Sequence, residues 1–262
     1  MRIVLVHPAG SNWVPGQPDV TTAANRMAPI GLLSMAAYLS ESRHRVIVHD
    51  CLGPRAPRGP AANAARILAA NPDLVGFSTT TSAFLDAVDM AELIKRARPE
   101  VTTVCGGVHV SAVRGELLRR FPAIDCLVQG EGEATLAALA DGRPFAEIDG
   151  LIWRDGEEVI ENPPRVHVPD LDDLPLPAYE KLPAFPRGYH LPLFSYIKSP
   201  GATMITSRGC VYQCSYCDRS VFRRGFRYNS SDYIYEHMRT LRRRFGVRHI
   251  NIYDDLFTTN RK

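Results

Sequence analysis

Leu74-Val75-Gly76-Phe77-Ser78-Thr79-Thr80-Thr81-Ser82 is a short apolar run that empties into five consecutive hydroxyl side chains. An apolar stretch of this length bounded by polar residues reads as a buried strand, and the hydroxyls as the loop at its carboxyl end. The pattern repeats on both sides. Residues 3–7 and 46–50 precede it and residues 102–105 and 126–129 follow it, each a short apolar run. Between the runs, Leu32, Met35, Ala36 and Leu39 recur at helical spacing, as do Phe84, Val88, Ala91 and Ile94. Strand and helix in alternation build a parallel sheet covered on both faces.

Right-handed crossovers then make an α/β, flavodoxin-like doubly wound parallel sheet the expected fold of residues 1–140. Open parallel sheets bind ligands beyond the carboxyl ends of their strands. Three of those ends carry unusual residues. The third ends in the hydroxyl run, with Ser78, Thr79 and Thr80 first. The fourth ends in Gly106-Gly107-Val108-His109, and the fifth in Gly130-Glu131-Gly132-Glu133. Glycines let a bulky group approach the backbone, and hydroxyls at a helix start bond polar groups. Taken singly, each end is explained by turns and helix caps; all three on one edge favour a ligand. A dinucleotide site is disfavoured, because Pro8-Ala9-Gly10-Ser11-Asn12 follows the first strand where a Gly-x-Gly-x-x-Gly would stand.

The second informative stretch is Ser207-Arg208-Gly209-Cys210-Val211-Tyr212-Gln213-Cys214-Ser215-Tyr216-Cys217-Asp218. It follows the apolar run 202–206, which reads as a strand feeding a tight loop. Three thiols around one point suit a metal cluster better than a fold staple. Cubane 4Fe-4S clusters are normally held by four cysteines, so a trio leaves one iron open. A zinc site is the competing reading, but zinc takes four ligands and no further Cys or His stands at a knuckle-like spacing.

Cys210, Cys214 and Cys217 match the CxxxCxxC signature of the radical S-adenosylmethionine (radical SAM) superfamily, and the chain resembles that superfamily here. The resemblance implies a 4Fe-4S cluster on these cysteines and S-adenosylmethionine on the open iron. It also implies one-electron cleavage to a 5′-deoxyadenosyl radical. Tyr216, and the Asp254-Asp255 pair that ends a later strand, stand where that family contacts S-adenosylmethionine; a plain helix cap competes for the acidic pair. Residues 1–140 resemble the cobalamin-binding domain that precedes many radical SAM domains. In that family the third-strand hydroxyls, the Gly-Gly loop and the Gly-Glu-Gly-Glu loop surround the dimethylbenzimidazole tail. This assigns Ser78, Thr79, Thr80, Gly106, Gly107, His109, Gly130, Glu131, Gly132 and Glu133 to cobalamin. The family's cobalt-ligating Asp-x-His-x-x-Gly is missing. Counting back from Gly31, its places hold Ala28 and Arg26, so no histidine ligand is expected from that loop.

The remainder fits this frame. Residues 150–160 read as a hairpin around Asp155-Gly156. A proline-rich passage follows, so residues 141–198 are expected to form a connector packed across both halves. Residues 199–262 read as the start of a partial (β/α) barrel, with Ser230 or Ser231 capping a helix through Ile234, Met238, Leu241 and Phe245 that ends at Gly246. Only the first strand–helix–strand of such a barrel is present, so a truncated, inactive piece is expected.

Six cysteines in 262 residues, three of them clustered, point to a reducing cytoplasm. No run of about 18 apolar residues suggests a membrane span. The net charge of +3 is small, and the arginine-rich stretch 219–248 lacks the aromatic interleaving of nucleic-acid binders. The expected function is a cobalamin-dependent radical SAM enzyme acting on a small molecule, most readily a methyltransferase to an unactivated carbon. Its electron donor would be a flavodoxin or ferredoxin. A radical oxidative cyclase of the magnesium-protoporphyrin monomethyl ester type and a non-catalytic cobalamin-binding module are the alternatives.

Overall fold

The computed structural model describes residues 1–10, 26–40, 44–222 and 225–257. Ser11 and Asn12, quoted above, lie outside them. The five expected strands are present as β1 (Arg2–His7), β2 (Arg45–Asp50), β3 (Leu74–Ser78), β4 (Thr102–Gly106) and β5 (Cys126–Val128). They pair in parallel in the order β2-β1-β3-β4-β5. That order places the topological switch point between β1 and β3, where a ligand crevice opens in doubly wound sheets. The hairpin expected within the connector is built onto this sheet. Strands β6 (Leu151–Asp155) and β7 (Glu158–Glu161) add antiparallel beyond β5, making seven strands.

Alternating residues of each strand serve two cores. Ile3, Leu5, Val104 and Val128 face α1 (Ile30–Ser40) and, past β5, α6 (Glu133–Ala140). Val4, Val6, Val75 and Phe77 face α2 (Gly59–Ala69) and α3 (Phe84–Ala97) on the other side. This two-residue period with both faces apolar is what a doubly covered sheet requires. Short helices α4 (Val108–Val113) and α5 (Glu116–Arg120) complete the second face through Val110, Leu117 and Leu118.

The proline-rich passage is packed rather than tethered loosely. Leu171, Leu174, Ala178, Tyr179 and Leu182 are buried. Tyr179 lies in the core cluster with Ala36 of α1 and with Leu241 and Val247 of the C-terminal part. There, β8 (Gly201–Met204) and β11 (His249–Ile252) run parallel, joined through α7 (Ser231–Phe245). Ser230 caps α7 by accepting from the Tyr233 amide at 3.2 Å, and Gly246 ends it in the left-handed region (φ 71°).

Where a single cluster loop was expected, the chain forms an antiparallel hairpin, β9 (Ser207–Cys210) with β10 (Gly225–Tyr228). Gly209 permits it. Its φ is +87°, and a Cβ there would collide with the Gly225 carbonyl oxygen. Cys210 closes the last pair of this hairpin, opposite Gly225, and Cys214 and Cys217 lie in the loop beyond.

Candidate functional site

A cavity of about 220 Å³ opens at the carboxyl ends of β1, β3, β4 and β5, on the side covered by α1 and α6. Leu5, Gly76, Val104 and Val128 form its sheet wall, and Ile30, Gly31, Ser34 and Met35 of α1 flank it. Ser78, Gly106, Gly107 and the whole Gly130–Glu133 loop line its rim. Its roof comes from the connector and the C-terminal part: Leu171, Leu174, Arg208, Phe222, Tyr233 and His237. The switch point, the glycine loops and the cluster hairpin thus meet at one place.

Glycine is needed at two of these rim positions for different reasons. Gly107 has φ +101°, and a Cβ there would stand 2.6 Å from the Thr79 carbonyl oxygen and 2.8 Å from its nitrogen. Gly132 keeps the cavity wall open, since a Cβ would press on Met35 Sδ and Val128 Cγ1, both at 3.3 Å.

Not every residue expected at the ligand faces it. Thr79 is 1% exposed and spends its hydroxyl on the Gly106 carbonyl at 2.9 Å, tying β3 to β4. Thr80 is exposed and its hydroxyl pairs with that of Ser82 at 3.0 Å. Only Ser78 of these three lines the cavity. His109 is not on the cavity either. The turn at Gly107 sends it to the opposite face, where its ring lies tilted against Phe84 with centroids 4.6 Å apart and meets Thr81 Oγ1 at 3.1 Å in a separate groove. His7 and His49 are engaged with Asp50 and Asn63, at 2.9 and 2.7 Å.

Glu131 and Glu133 contribute backbone to the cavity and side chains to an ionic clasp with the hairpin. Arg208 donates to Glu131 Oε1 at 2.9 Å and to Glu133 Oε1 at 2.7 Å. Arg227, its hairpin partner, donates to both oxygens of Glu131 at 2.8 and 3.0 Å and to the Val168 carbonyl at 2.7 Å. His167 Nδ1 adds a contact to Glu131 Oε2 at 2.9 Å. Both glutamates are 9% exposed and both arginines under 20%. Burial alone would raise the Glu131 carboxyl. The Arg227 hydrogen bonds and the Arg208 charge outweigh it and hold the group below the usual carboxylate range.

The first of the three cysteines, Cys210, lies two residues beyond Arg208 of this clasp, and Cys214 and Cys217 follow in the loop. All are free thiols; Cys210 is half-buried and Cys214 and Cys217 are exposed. The Cys217 amide donates to the Cys214 carbonyl at 3.2 Å, and the Tyr212 amide meets Cys210 Sγ at 3.5 Å. Among the described residues no three Cys, His, Asp or Glu side chains are gathered as a metal-binding set. The donor set is right for iron and the loop is short, so the sulfurs must draw together to hold a cluster. Tyr216, on the same loop, is 90% exposed.

Asp254 has a structural task. Its Oδ1 accepts from the amides of Thr206 and Ser207, at 2.6 and 3.2 Å, and its Oδ2 from the Thr206 hydroxyl. This fastens the end of β11 to the turn between β8 and β9. Asp255 is exposed beside it.

Sequence reasoning passed over the arginines of the clasp and over a buried pair on the roof. Tyr179 Oη lies 3.0 Å from His237 Nε2 and 3.3 Å from the Thr203 carbonyl oxygen. Burial lowers the His237 pKa to about 4, so the imidazole is neutral at physiological pH. The available signal was position: His237 falls on the same helical stripe as Ile234 and Leu241.

A parallel α/β domain with a cavity at its switch point, framed by glycine loops, is an arrangement in which open sheets hold ligands. Residues 16–140 match the family described as the B12 binding domain. Along its whole length the chain is 33% identical to the uncharacterized methyltransferase PH0819 of Pyrococcus horikoshii, covering 55% of that protein. It is 29% identical to the anaerobic magnesium-protoporphyrin IX monomethyl ester cyclase of Synechocystis sp., again over all of this chain and 51% of the relative. The fold resembles that of the radical S-adenosylmethionine methyltransferase TsrM from Kitasatospora setae, solved with cobalamin and a 4Fe-4S cluster bound. The TM-score is 0.67 at 20% identity, over 97% of this chain and 47% of that one. The chain spans about half the length of the curated relatives it matches. Among the described residues no helix is long and apolar enough to cross a membrane.

Proposed function

We propose that this chain carries the cobalamin-binding and cluster-binding parts of a cobalamin-dependent radical SAM enzyme that methylates an unactivated carbon of a small molecule. The observation that carries this reading is the contact between two motifs far apart in sequence. The Gly130–Glu133 loop of the B12 binding domain is clasped to the hairpin that presents Cys210, Cys214 and Cys217. Such contact would bring two cofactors to one reaction space.

The residues fit both groups. The cavity is apolar, deep and framed by glycines, suited to an aromatic tail inserted beside the sheet. Three thiols without a fourth ligand suit a 4Fe-4S cluster with one iron open. When bound, the cluster supplies the electron that cleaves S-adenosylmethionine and cobalamin carries the methyl group. The protein's own part is placement. Asp254 fixes the turn from which the cluster strand departs, the exposed Asp255 and Tyr216 would contact S-adenosylmethionine, and the connector and C-terminal part roof the cavity. An electron donor such as flavodoxin or ferredoxin completes the reading.

A radical oxidative cyclisation is the second reading, because three cyclases align along the full length of this chain. Both share the same cofactors and the same first test. Anaerobic reconstitution with iron and sulfide is expected to give about four iron atoms per chain. It should also give an electron paramagnetic resonance signal that changes when S-adenosylmethionine is added, and Cys210→Ala should abolish both. Hydroxocobalamin is expected to bind, and Gly31→Phe, which adds bulk where a Cβ meets nothing within 4 Å, should block it. Uptake of zinc alone by wild-type protein would overturn the reading.

A further inference from the structure

The cysteine hairpin and Asp254 follow the carboxyl ends of β8 and β11; the amino-terminal end of the same strands presents a different surface. The chain enters β8 through the segment Leu193–Pro200. Three large apolar side chains stand out there: Leu193 is 57% exposed, Ile197 89%, and Phe194 fully. Single apolar residues on a surface need no account, but three within five positions form a patch. The patch is held in place. Phe194 sits at φ 68°, in the left-handed region that bulky side chains avoid. The Ser195 amide and hydroxyl both donate to the Pro192 carbonyl, at 3.0 and 2.6 Å. Asn251 Nδ2 of β11 donates to the Ser195 carbonyl at 3.0 Å. Backbone pinned in a disfavoured conformation that exposes an aromatic ring points to a role for the ring outside the fold.

Cations surround this turn. Lys198 follows Ile197 and is exposed, and the Arg248 amide donates to the Pro200 carbonyl at 2.8 Å, which brings Arg248 beside the same segment. Helix α7 ends three residues before Arg248, with Arg242, Arg243 and Arg244 in its last turn. Arg244 is engaged, lying over the Phe245 ring at 5.2 Å and 3.6 Å from Glu180. Lys198, Arg242, Arg243 and Arg248 are exposed and make no ion pair among the described residues. A helix C-terminus favours basic residues. That accounts for the arginines of α7 but not for Lys198 and Arg248.

We propose that this end of the molecule docks on an anionic lipid surface, the apolar turn entering the boundary between headgroups and acyl chains and the four cations meeting lipid phosphates. Apolar side chains alone suit any hydrophobic partner, and cations alone any polyanion. An apolar prominence ringed by unpaired cations suits an anionic bilayer. Lipid is favoured over nucleic acid because, of the three exposed apolar side chains, only Phe194 has a planar face on which a base could stack. The cysteines follow the opposite end of β8, so docking anchors the protein with its cluster site turned away from the bilayer.

Sedimentation of the full chain with vesicles tests the proposal. Wild type is expected to pellet with vesicles of equal parts phosphatidylcholine and phosphatidylglycerol, to be released from them by high salt, and to stay in solution with phosphatidylcholine alone. Each arginine near a charged surface contributes roughly 5-fold in affinity, so Arg242→Gln/Arg243→Gln/Arg248→Gln should weaken binding about 100-fold. Phe194→Asn keeps the left-handed turn and removes the ring; it should weaken binding roughly 10-fold. Circular dichroism identifies a variant that has not folded, and the other then decides. Equal pelleting with both kinds of vesicle, or folded variants that pellet as wild type does, refutes the assignment. A single-stranded RNA oligonucleotide bound by protein that ignores vesicles would give the cations to nucleic acid. A dimer in light scattering that dissociates in Phe194→Asn would give the turn to a second copy. Either result overturns the proposal, and neither bears on iron or hydroxocobalamin binding, which rests on other residues.

Discussion

The clasp between the glycine–glutamate loop and the cluster hairpin can be taken apart one charge at a time. Arg227→Met removes two hydrogen bonds to Glu131 and one to Val168, while Arg208 and His167 still hold the carboxylate. Breaking a buried pair costs about 3–5 kcal/mol, and with two partners left the lower end applies, about 3 kcal/mol. In a chain of this size that lowers the melting temperature by roughly 6–12 °C. Glu131→Gln leaves two guanidinium groups facing Glu133 alone, an unbalanced buried charge worth about 4 kcal/mol. The double variant leaves the neutral Arg208–Glu133 pair, so its cost should fall short of the sum by at least about 1.5 kcal/mol. Urea unfolding at pH 7 measures all three. Costs that add to within about 0.5 kcal/mol would refute the clasp as a coupled unit. The pH dependence carries an independent sign. Because the folded Glu131 carboxyl is held low, its contribution is full above the ordinary carboxyl range and is lost as pH falls through the depressed value. The stability gap between wild type and Glu131→Gln should therefore narrow below about pH 4.

Other outcomes follow from individual contacts. Gly107→Ala forces a Cβ to 2.6 Å from the Thr79 backbone in a left-handed conformation, and should cost about 3 kcal/mol or more by urea unfolding. Gly142→Ala, also at positive φ but with nothing within 4 Å, should cost no more than about 1–2 kcal/mol. Asp254→Ala strips the Thr206 and Ser207 amides of their acceptor and should destabilise by about 1–3 kcal/mol, while Asp255→Ala leaves stability unchanged. Equal effects of the two would refute the division of labour. His237, buried neutral, protonates more readily in the unfolded chain, so its contribution is full above about pH 6.5 and declines as pH falls toward 4. His237→Phe should flatten that part of the stability profile.

The sheet was legible because each parallel strand is a continuous apolar run bounded by turn residues. All five strands fell within a residue or two of their observed ends. The hairpin 151–161 was legible as a hairpin, but nothing local in it says that it will pair with Cys126–Val128. Helix α2 was missed because its stretch, with five alanines among eleven residues, has few large apolar residues to mark a period. At the site, glycine positions were readable and side-chain directions were not. Thr79 and Ser78 are neighbours with the same chemistry, yet the pleat sends one into the fold and the other to the cavity. Arg208 and Arg227 looked like ordinary surface charges, since partner residues 75 and 96 positions away are invisible to local reading.

The alternation in Gly130-Glu131-Gly132-Glu133 now has a physical sense. The glycines bring main chain to the cavity, with Gly132 against Met35 and Val128, while the glutamates turn to the hairpin. One four-residue loop is thus shared by the cofactor cavity and by the strand that presents the cysteines. A ligand that fixes this loop restrains the carboxylates, and through Arg208 the position of Cys210 two residues on. Coupling of this kind is reciprocal, so a filled cysteine site must tighten corrinoid binding by the same factor that a bound corrinoid tightens the cluster. Measuring hydroxocobalamin affinity before and after cluster reconstitution, in wild type and in Glu131→Gln/Arg227→Met, reads that factor directly. A several-fold gain in wild type that vanishes in the double variant is the expected outcome. An identical gain in both would mean that the two cofactors communicate by another route.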